Sequence, residues 1–261
     1  MNLSISNIAW TKELDIEMYQ FMKENGLRGL EIAPTRLFAE NPYDQIEAAK
    51  VFSEKIKNKY GLCIPSMQSI WFGKNESIFG SVSERETLIA YTKKAIDFAV
   101  AINCHNLVFG CPKNRNIPDP NLRPIAIEFF RVIGEYAHKH NTIIAIEPNP
   151  TIYNTNFIIT TSEAFEICKE INSPGIGVNI DFGTIIFNNE NFEQVIENIG
   201  LVNHIHISEP YLELIQERQI HQQLLRLYKT NYDKFISIEM KNTADIKLIK
   251  NIIHYVKGVL E

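Results

Sequence analysis

TIIAIEPNPTIYNTNFIITTSEAFEICKEINSPGIGVNID (residues 142–181) reads as strand, loop, helix and strand. TIIAIE and GIGVNID are apolar runs of strand length, too short for buried helices and bounded by turn residues. Between them, the segment beginning near Ser162 has a helical pattern, with Thr161 or Ser162 placed to cap it. Each apolar run ends in a carboxylate, Glu147 in the first and Asp181 in the second. Two strands joined by a helix form a crossover unit, and the fold depends on how many such units the chain holds.

The unit recurs in both directions along the 261 residues. Upstream, LSISNI precedes a helix over 13–25 closed by Gly26, and RGLEIA (28–33) precedes a helix over 43–59 with Ile46, Ala49, Phe52 and Ile56 at helical spacing. LCIPSMQ, weakened by Pro65, leads through a long loop to a helix over 84–101, and CHNLVFG (104–110) leads through a Pro-rich loop to a helix over 124–140. Downstream, a short helix is expected over 191–198. LVNHIHIS then precedes a helix around 219–229, and FISIEM precedes the last helix, about 244–260. Eight strand–helix units with no linker and no phosphate-binding glycine signature favour closure into a single (β/α)8 TIM barrel spanning residues 1–261. The long loops all follow strands and the short ones precede them, which suits a functional C-terminal mouth.

Composition agrees with one soluble enzyme-sized unit. Hydrophobic residues make up 45% and charged residues 22%, enough apolar surface for one core without covalent staples. The net charge of −5 argues against a general nucleic-acid binder. The four cysteines, Cys63, Cys104, Cys111 and Cys168, form no C-x-x-C pair; Cys63 and Cys104 fall in runs expected to be buried. No apolar run approaches the ~20 residues that span a bilayer, and MNLSISNIAW lacks the basic start and apolar core of a signal peptide. The expectation is a cytoplasmic protein that contacts no membrane, with homo-oligomer formation left open.

Four polar side chains end the last four strands: Glu147, Asp181, His206 and Glu239. In a barrel these positions converge on the mouth. Three carboxylates would repel one another there without a cation, and with one imidazole they form a hard ligand set. That set suits one divalent cation, manganese first, with magnesium, cobalt and zinc as alternatives. His204 shares a side with His206, because strand side chains alternate, but lies deeper.

IEPNP, NIDFGT, HIHISEP and SIEMK, in this order at the ends of the last four strands, resemble the xylose isomerase-like superfamily of sugar isomerases and epimerases. Keto-sugar 3-epimerases, inosose dehydratases and endonuclease IV belong to that wider group. SNIAW, GLEIAPT, SMQSIWFG and VFGCPKNR extend the resemblance over essentially the whole chain, to a bacterial sugar phosphate isomerase/epimerase subgroup. The resemblance implies metal ligation by Glu147, Asp181, His206 and Glu239. It also implies that Glu147 and Glu239 flank a sugar and exchange a proton beside its carbonyl. The substrate-handling positions depart from the family pattern. Thr184 stands where a histidine often follows the aspartate, Asn154 stands where the epimerases carry a further glutamate, and SEPYLELI lacks their arginine.

The chain's own candidates for substrate contact are Glu31 and Gln68 at strand ends, Lys113 and Arg115 in PKNR, and Glu209, His221 and Lys241 around the last two strand ends. Among aromatics near the mouth (Tyr153, Phe157 and Phe72 included), Trp10 and Trp71 are the preferred walls for a sugar. The loops after strands seven and eight, where barrels often bind phosphate, contain no glycine. The expected activity is isomerisation or epimerisation of a sugar or sugar derivative, phosphorylated and acidic forms included. Its rivals are a metal-dependent lyase, such as a dehydratase of a cyclic polyol, and a non-catalytic sugar-binding protein. An endonuclease IV-like nuclease would need more histidine ligands and a basic face, which the sequence lacks.

Overall fold

A computed structural model describes residues 2–261. Eight strands run parallel: β1 (Asn2–Ser6), β2 (Gly29–Glu31), β3 (Ser66–Met67), β4 (Asn106–Phe109), β5 (Ile143–Ile146), β6 (Ile176–Asp181), β7 (Val202–Ile207) and β8 (Phe235–Ile238). Their order around the sheet is β2-β1-β8-β7-β6-β5-β4-β3. The ring is completed by isolated bridges from Gly29 to Cys63 and from Ile32 to Met67. The result is a single (β/α)8 TIM barrel. Gly29 is required at this closure, because a Cβ there would come within 2.8 Å of Phe235, Pro65 and Ser4.

The surrounding helices are α1 (Asp15–Glu24), α2 (Pro34–Leu37), α3 (Ile46–Tyr60), α4 (Val82–Ala101), α5 (Arg123–Lys139), α6 (Thr161–Ile171), α7 (Phe182–Asn188), α8 (Glu193–Glu197) and α9 (Ile246–Leu260). Ser81 and Glu84 form a reciprocal capping box at the start of α4. The cap of α6 is Thr160, whose side chain accepts from Glu163 N, one residue before the expected position. The segment Gln219–Lys229 is built of 3-10 turns instead of an α-helix.

Three other expectations change. The third strand shrinks to two residues, since Pro65 has no N–H to give the ladder. Cys63 is exposed on that segment, whereas Cys104 is buried as expected. An additional helix, α7, follows β6 immediately; the Asp181 side chain accepts from Thr184 N and so starts a helix directly on the strand end. Among the described residues no helix is long and apolar enough to cross a membrane.

Candidate metal centre and active-site cavity

Asp181 and His206 are register partners on β6 and β7, the two longest strands of the barrel. Glu147 and Glu239 follow β5 and β8 directly, their N–H groups bonded to Phe109 O and Ile207 O of the neighbouring strands. Sheet hydrogen bonds therefore fix the backbone of all four. One ligand atom from each lies within 4.8 Å of the others, and all four residues are buried. Glu147, Asp181 and Glu239 form the floor of a cavity of about 210 Å³ at the C-terminal mouth, with His206 wholly buried beside them.

His206 is the centre of this arrangement. Its Nε2 lies 2.9 Å from Glu31 Oε2, and its Nδ1 lies 2.9 Å from Glu147 Oε1 and 3.2 Å from Glu239 Oε2. Neither of those two oxygens lies in the direction a hydrogen bond from Nδ1 requires, which leaves Nδ1 buried without a hydrogen-bond partner. In the neutral ring, an Nε2–H donated to Glu31 would leave the Nδ1 lone pair free toward the cluster. The donor set fits a divalent cation on chemistry as well: three carboxylates and one imidazole are hard to borderline ligands.

Neighbouring groups hold Glu147 and Asp181 in place. Glu147 accepts from Asn179 at 2.6 Å and from Asn149 at 3.1 Å. Gly110 leaves it room, because a Cβ there would stand 2.8 Å from Glu147 Oε2. Asp181 accepts from Thr184 N and Oγ1, both at 2.7 Å, and from the Ser208 hydroxyl. Thr184 thus anchors the aspartate, and its hydroxyl also bonds Pro148 O.

The crowding of negative charge shifts the titrations. Burial, reinforced by Glu147, pushes the Asp181 carboxyl up to about 6. Burial also pushes Glu239 up to about 7, against the pull of His206. Burial alone would lower His206, but Glu31, Glu239 and Glu147 hold its imidazole well above the usual histidine range. Burial opposes ionisation of Glu31 too, yet the two histidines beside it keep its carboxyl well below the usual range. With no cation bound, protons therefore balance the cluster.

Of the other sequence candidates, Gln68 and Glu209 line the cavity. Gln68 donates to Ser6 Oγ at 3.1 Å and accepts from the Ser69 hydroxyl. Glu31 lies beneath the floor, wholly buried, and meets His206 and His204 instead of open space.

The remaining candidates lie away from the cavity. Trp10 is buried under Arg36, with its Nε1–H on Asp15 at 2.8 Å. Trp71 packs edge-on against Phe109 and Phe129 and donates to Thr92 at 2.8 Å. Both indoles pack their loops onto helices, so the apolar area that marked them as sugar walls is spent on the core. Lys113 is exposed and reaches Asn75. Lys241 pairs with Glu213, because β8 ends at Ile238 and the chain turns away. His221 is buried behind α7, with Nδ1 on Tyr255 and its ring against Phe182. Arg115 is buried, donating to Glu147 O, Asn149 Oδ1 and Ile158 O, and so braces the loop under Glu147.

Tyr153 lines the cavity, as do Asn149, Ser208 and Leu212. The sequence marked Tyr153 only as a lesser aromatic. Asn149, two residues after the strand-end glutamate in EPNP, is the one of these with a readable signal. Burial, with Asp181, Glu239 and Glu147 nearby, pushes the Tyr153 phenol well above its usual value and keeps it a neutral donor.

The fold and the cluster at its mouth define a class: (β/α)8 barrels whose strand ends gather side chains able to hold a metal ion. The chain belongs to the xylose isomerase-like TIM barrel family, whose model matches residues 19–257. No curated protein sequence matches it. Among solved structures it is similar to 3-keto-D-glucoside 4-epimerase YcjR from E. coli, with TM-score 0.79, 18% identity and 99% of each chain covered. It is also similar to D-psicose 3-epimerase from Clostridium cellulolyticum H10, with TM-score 0.80, 14% identity and 100% of each chain covered. A third is the probable 3-DHS dehydratase AsbF from Bacillus anthracis, with TM-score 0.73, 19% identity, 100% of this chain and 99% of that one covered.

Proposed function

We propose that the protein is a divalent-metal-dependent isomerase or epimerase that moves a proton beside the carbonyl of a sugar or sugar derivative. The observation that carries this reading is the buried cluster of Glu147, Asp181, His206 and Glu239, whose carboxylates line the cavity and whose His206 Nδ1 stands beside Glu147 and Glu239 without a hydrogen-bond partner. These four residues would hold one cation, manganese first. Such a cation, when bound, would polarise the carbonyl and the neighbouring hydroxyl of a substrate.

The chain's own groups supply the rest. Glu147 and Glu239 follow β5 and β8, on either side of the Asp181–His206 pair, so a substrate between them meets a carboxylate on each side. One takes the proton from the carbon next to the carbonyl, and the other returns a proton to that carbon or its neighbour. Asn179 and Asn149 hold Glu147 while charge moves. Gln68 and Tyr153 offer neutral hydrogen-bonding groups on the wall. The protein works in the cytoplasm on this reading.

The test combines metal analysis of purified protein with turnover in deuterated water. About one divalent ion per chain, and deuterium at the carbon beside the carbonyl, is the expected result. Bound metal with loss of water from a polyol would favour a dehydratase. Absence of bound metal after incubation with manganese, cobalt and magnesium would remove the premise.

A further inference from the structure

The charged side chains that line the cavity are all acidic: Glu147, Asp181, Glu209 and Glu239. Among the described residues, no lysine, arginine or histidine lines it. One bound divalent cation would still leave the carboxylates in excess.

Three cations near the mouth are committed elsewhere, and Lys113, next to the lining Pro112, is exposed and reaches Asn75 at 3.2 Å. Arg218 grips Glu209 through Nε, at 2.7 and 2.8 Å from its two oxygens, and through Nη2 at 2.6 Å. Lys241 is paired with Glu213. Arg115 spends its guanidinium on Glu147 O, Asn149 and Ile158 O below the surface.

Backbone donors that could receive a phosphate are taken as well. Thr184 N at the start of α7 is bonded to Asp181 at 2.7 Å, and Gly183 N to Ser208 Oγ at 2.8 Å. Lys241 N after β8 donates to Leu212 O at 2.7 Å. The protein's own carboxylate thus stands where a helix start would otherwise attract an anion.

What remains on the wall is neutral: the Gln68 and Asn149 carboxamides, the Ser69 and Ser208 hydroxyls and the Tyr153 phenol, set among apolar Ile8, Val108 and Leu212. The volume, about 210 Å³, is below the ~300–1,000 Å³ of pockets for drug-sized ligands. We infer that the cavity selects an uncharged, single-unit keto-sugar or similar polyhydroxylated carbonyl compound, and rejects phosphate esters and sugar acids. This rests on the function proposed above and gives its substrate class.

The test measures binding and deuterium incorporation on metal-loaded protein for matched pairs: D-fructose and D-fructose 6-phosphate, D-ribulose and D-ribulose 5-phosphate, and D-tagatose against D-tagaturonate. Within at least one pair the neutral ketose should bind about 100-fold more tightly than its anionic partner, with the gap narrowing as salt is raised. An anionic partner that binds as tightly as, or more tightly than, its neutral counterpart in every pair overturns the inference. Failure of every neutral ketose to bind overturns it too. The two readings separate cleanly. Neutral ketoses that bind without deuterium exchange support the charge selection and sink the epimerase assignment. Phosphate esters that exchange and bind at least as tightly as their neutral partners keep the epimerase and sink the charge selection.

Discussion

The two halves of the barrel meet at one cavity but furnish it differently. The half from β1 to β4 contributes Ile8, Gln68, Val108 and Cys111, among others, and no charged side chain. The half from β5 to β8 contributes Glu147, Asp181, Glu209 and Glu239. The first half's one strand-end carboxylate, Glu31, lies under the floor and acts on His206 from below. The first half thus gives the cavity only neutral contacts, while the second gives it every charged group along with neutral Asn149, Tyr153 and Ser208.

The largest effect expected from this division is loss of the centre itself. Asp181→Ala or His206→Ala should abolish stoichiometric metal binding and lower turnover by roughly 10³-fold or more. Metal analysis beside circular dichroism checks that the fold survives. Glu147→Gln and Glu239→Gln should each cost about 10²–10⁴-fold in rate, the usual weight of an acid/base group. Deuterium exchange is the readout, and a variant that exchanged normally would have no part in proton transfer.

Glu31→Gln sharpens the comparison, because it touches the centre from the opposite half. Metal affinity should fall about 10–100-fold, as expected when the partner of a ligating histidine is lost, and Glu31→Asp should recover part of it. Competition with a chelating dye measures both. Unchanged affinity would detach the first half from the centre altogether.

Acidity gives a comparable effect. Asp181 and Glu239, raised to about 6 and about 7, and His206, raised well above its usual value, must lose protons to a cation. Metal affinity should fall by about 10-fold or more as pH drops from 7 to 6. Stability without metal should run the other way. All three groups bind protons more tightly folded than unfolded, so their contribution is present at low pH and is lost as pH rises through 6 to 7 and above. Thermal melting with and without manganese across that range checks the opposite slopes.

Smallest in the series, Gln68→Ala should raise KM about 10-fold with kcat nearly kept, while Lys113→Ala and Lys241→Ala change stability by less than ~0.5 kcal/mol. A Gln68 variant as damaged as Glu239→Gln would break the division of labour.

The second half was also the more legible in the sequence. Glu147, Asp181, His206 and Glu239 each close an apolar run, and a strand's period of two leaves little doubt about which way such residues face. Residues whose role depends on loop path were harder to place. Trp10, Trp71, Lys113 and Lys241 sit close to strand ends in sequence, yet the chain beyond each strand turns and carries them onto helices, to a loop asparagine or into an ion pair. Local composition does not encode that turning. Glu31 was recognised as a strand-end residue, but its partner His206 lies 175 positions away, and only barrel closure brings them together. The helix α7 carries no separate start signal, because its cap, Asp181, is also the last residue of a strand.

The order of the strands places the join between β2 and β3 across the barrel from the β6–β7 pair. That join has only the Gly29–Cys63 and Ile32–Met67 bridges, whereas β6 and β7 share a paired run ending at Asp181 and His206. Stability across a fold is uneven, and the least-paired strands open first. The ring is therefore clasped at one point and welded at the other: the clasp, four backbone hydrogen bonds, runs beside Gln68 of the cavity wall, while the opposite arc holds Asp181 and His206 in register.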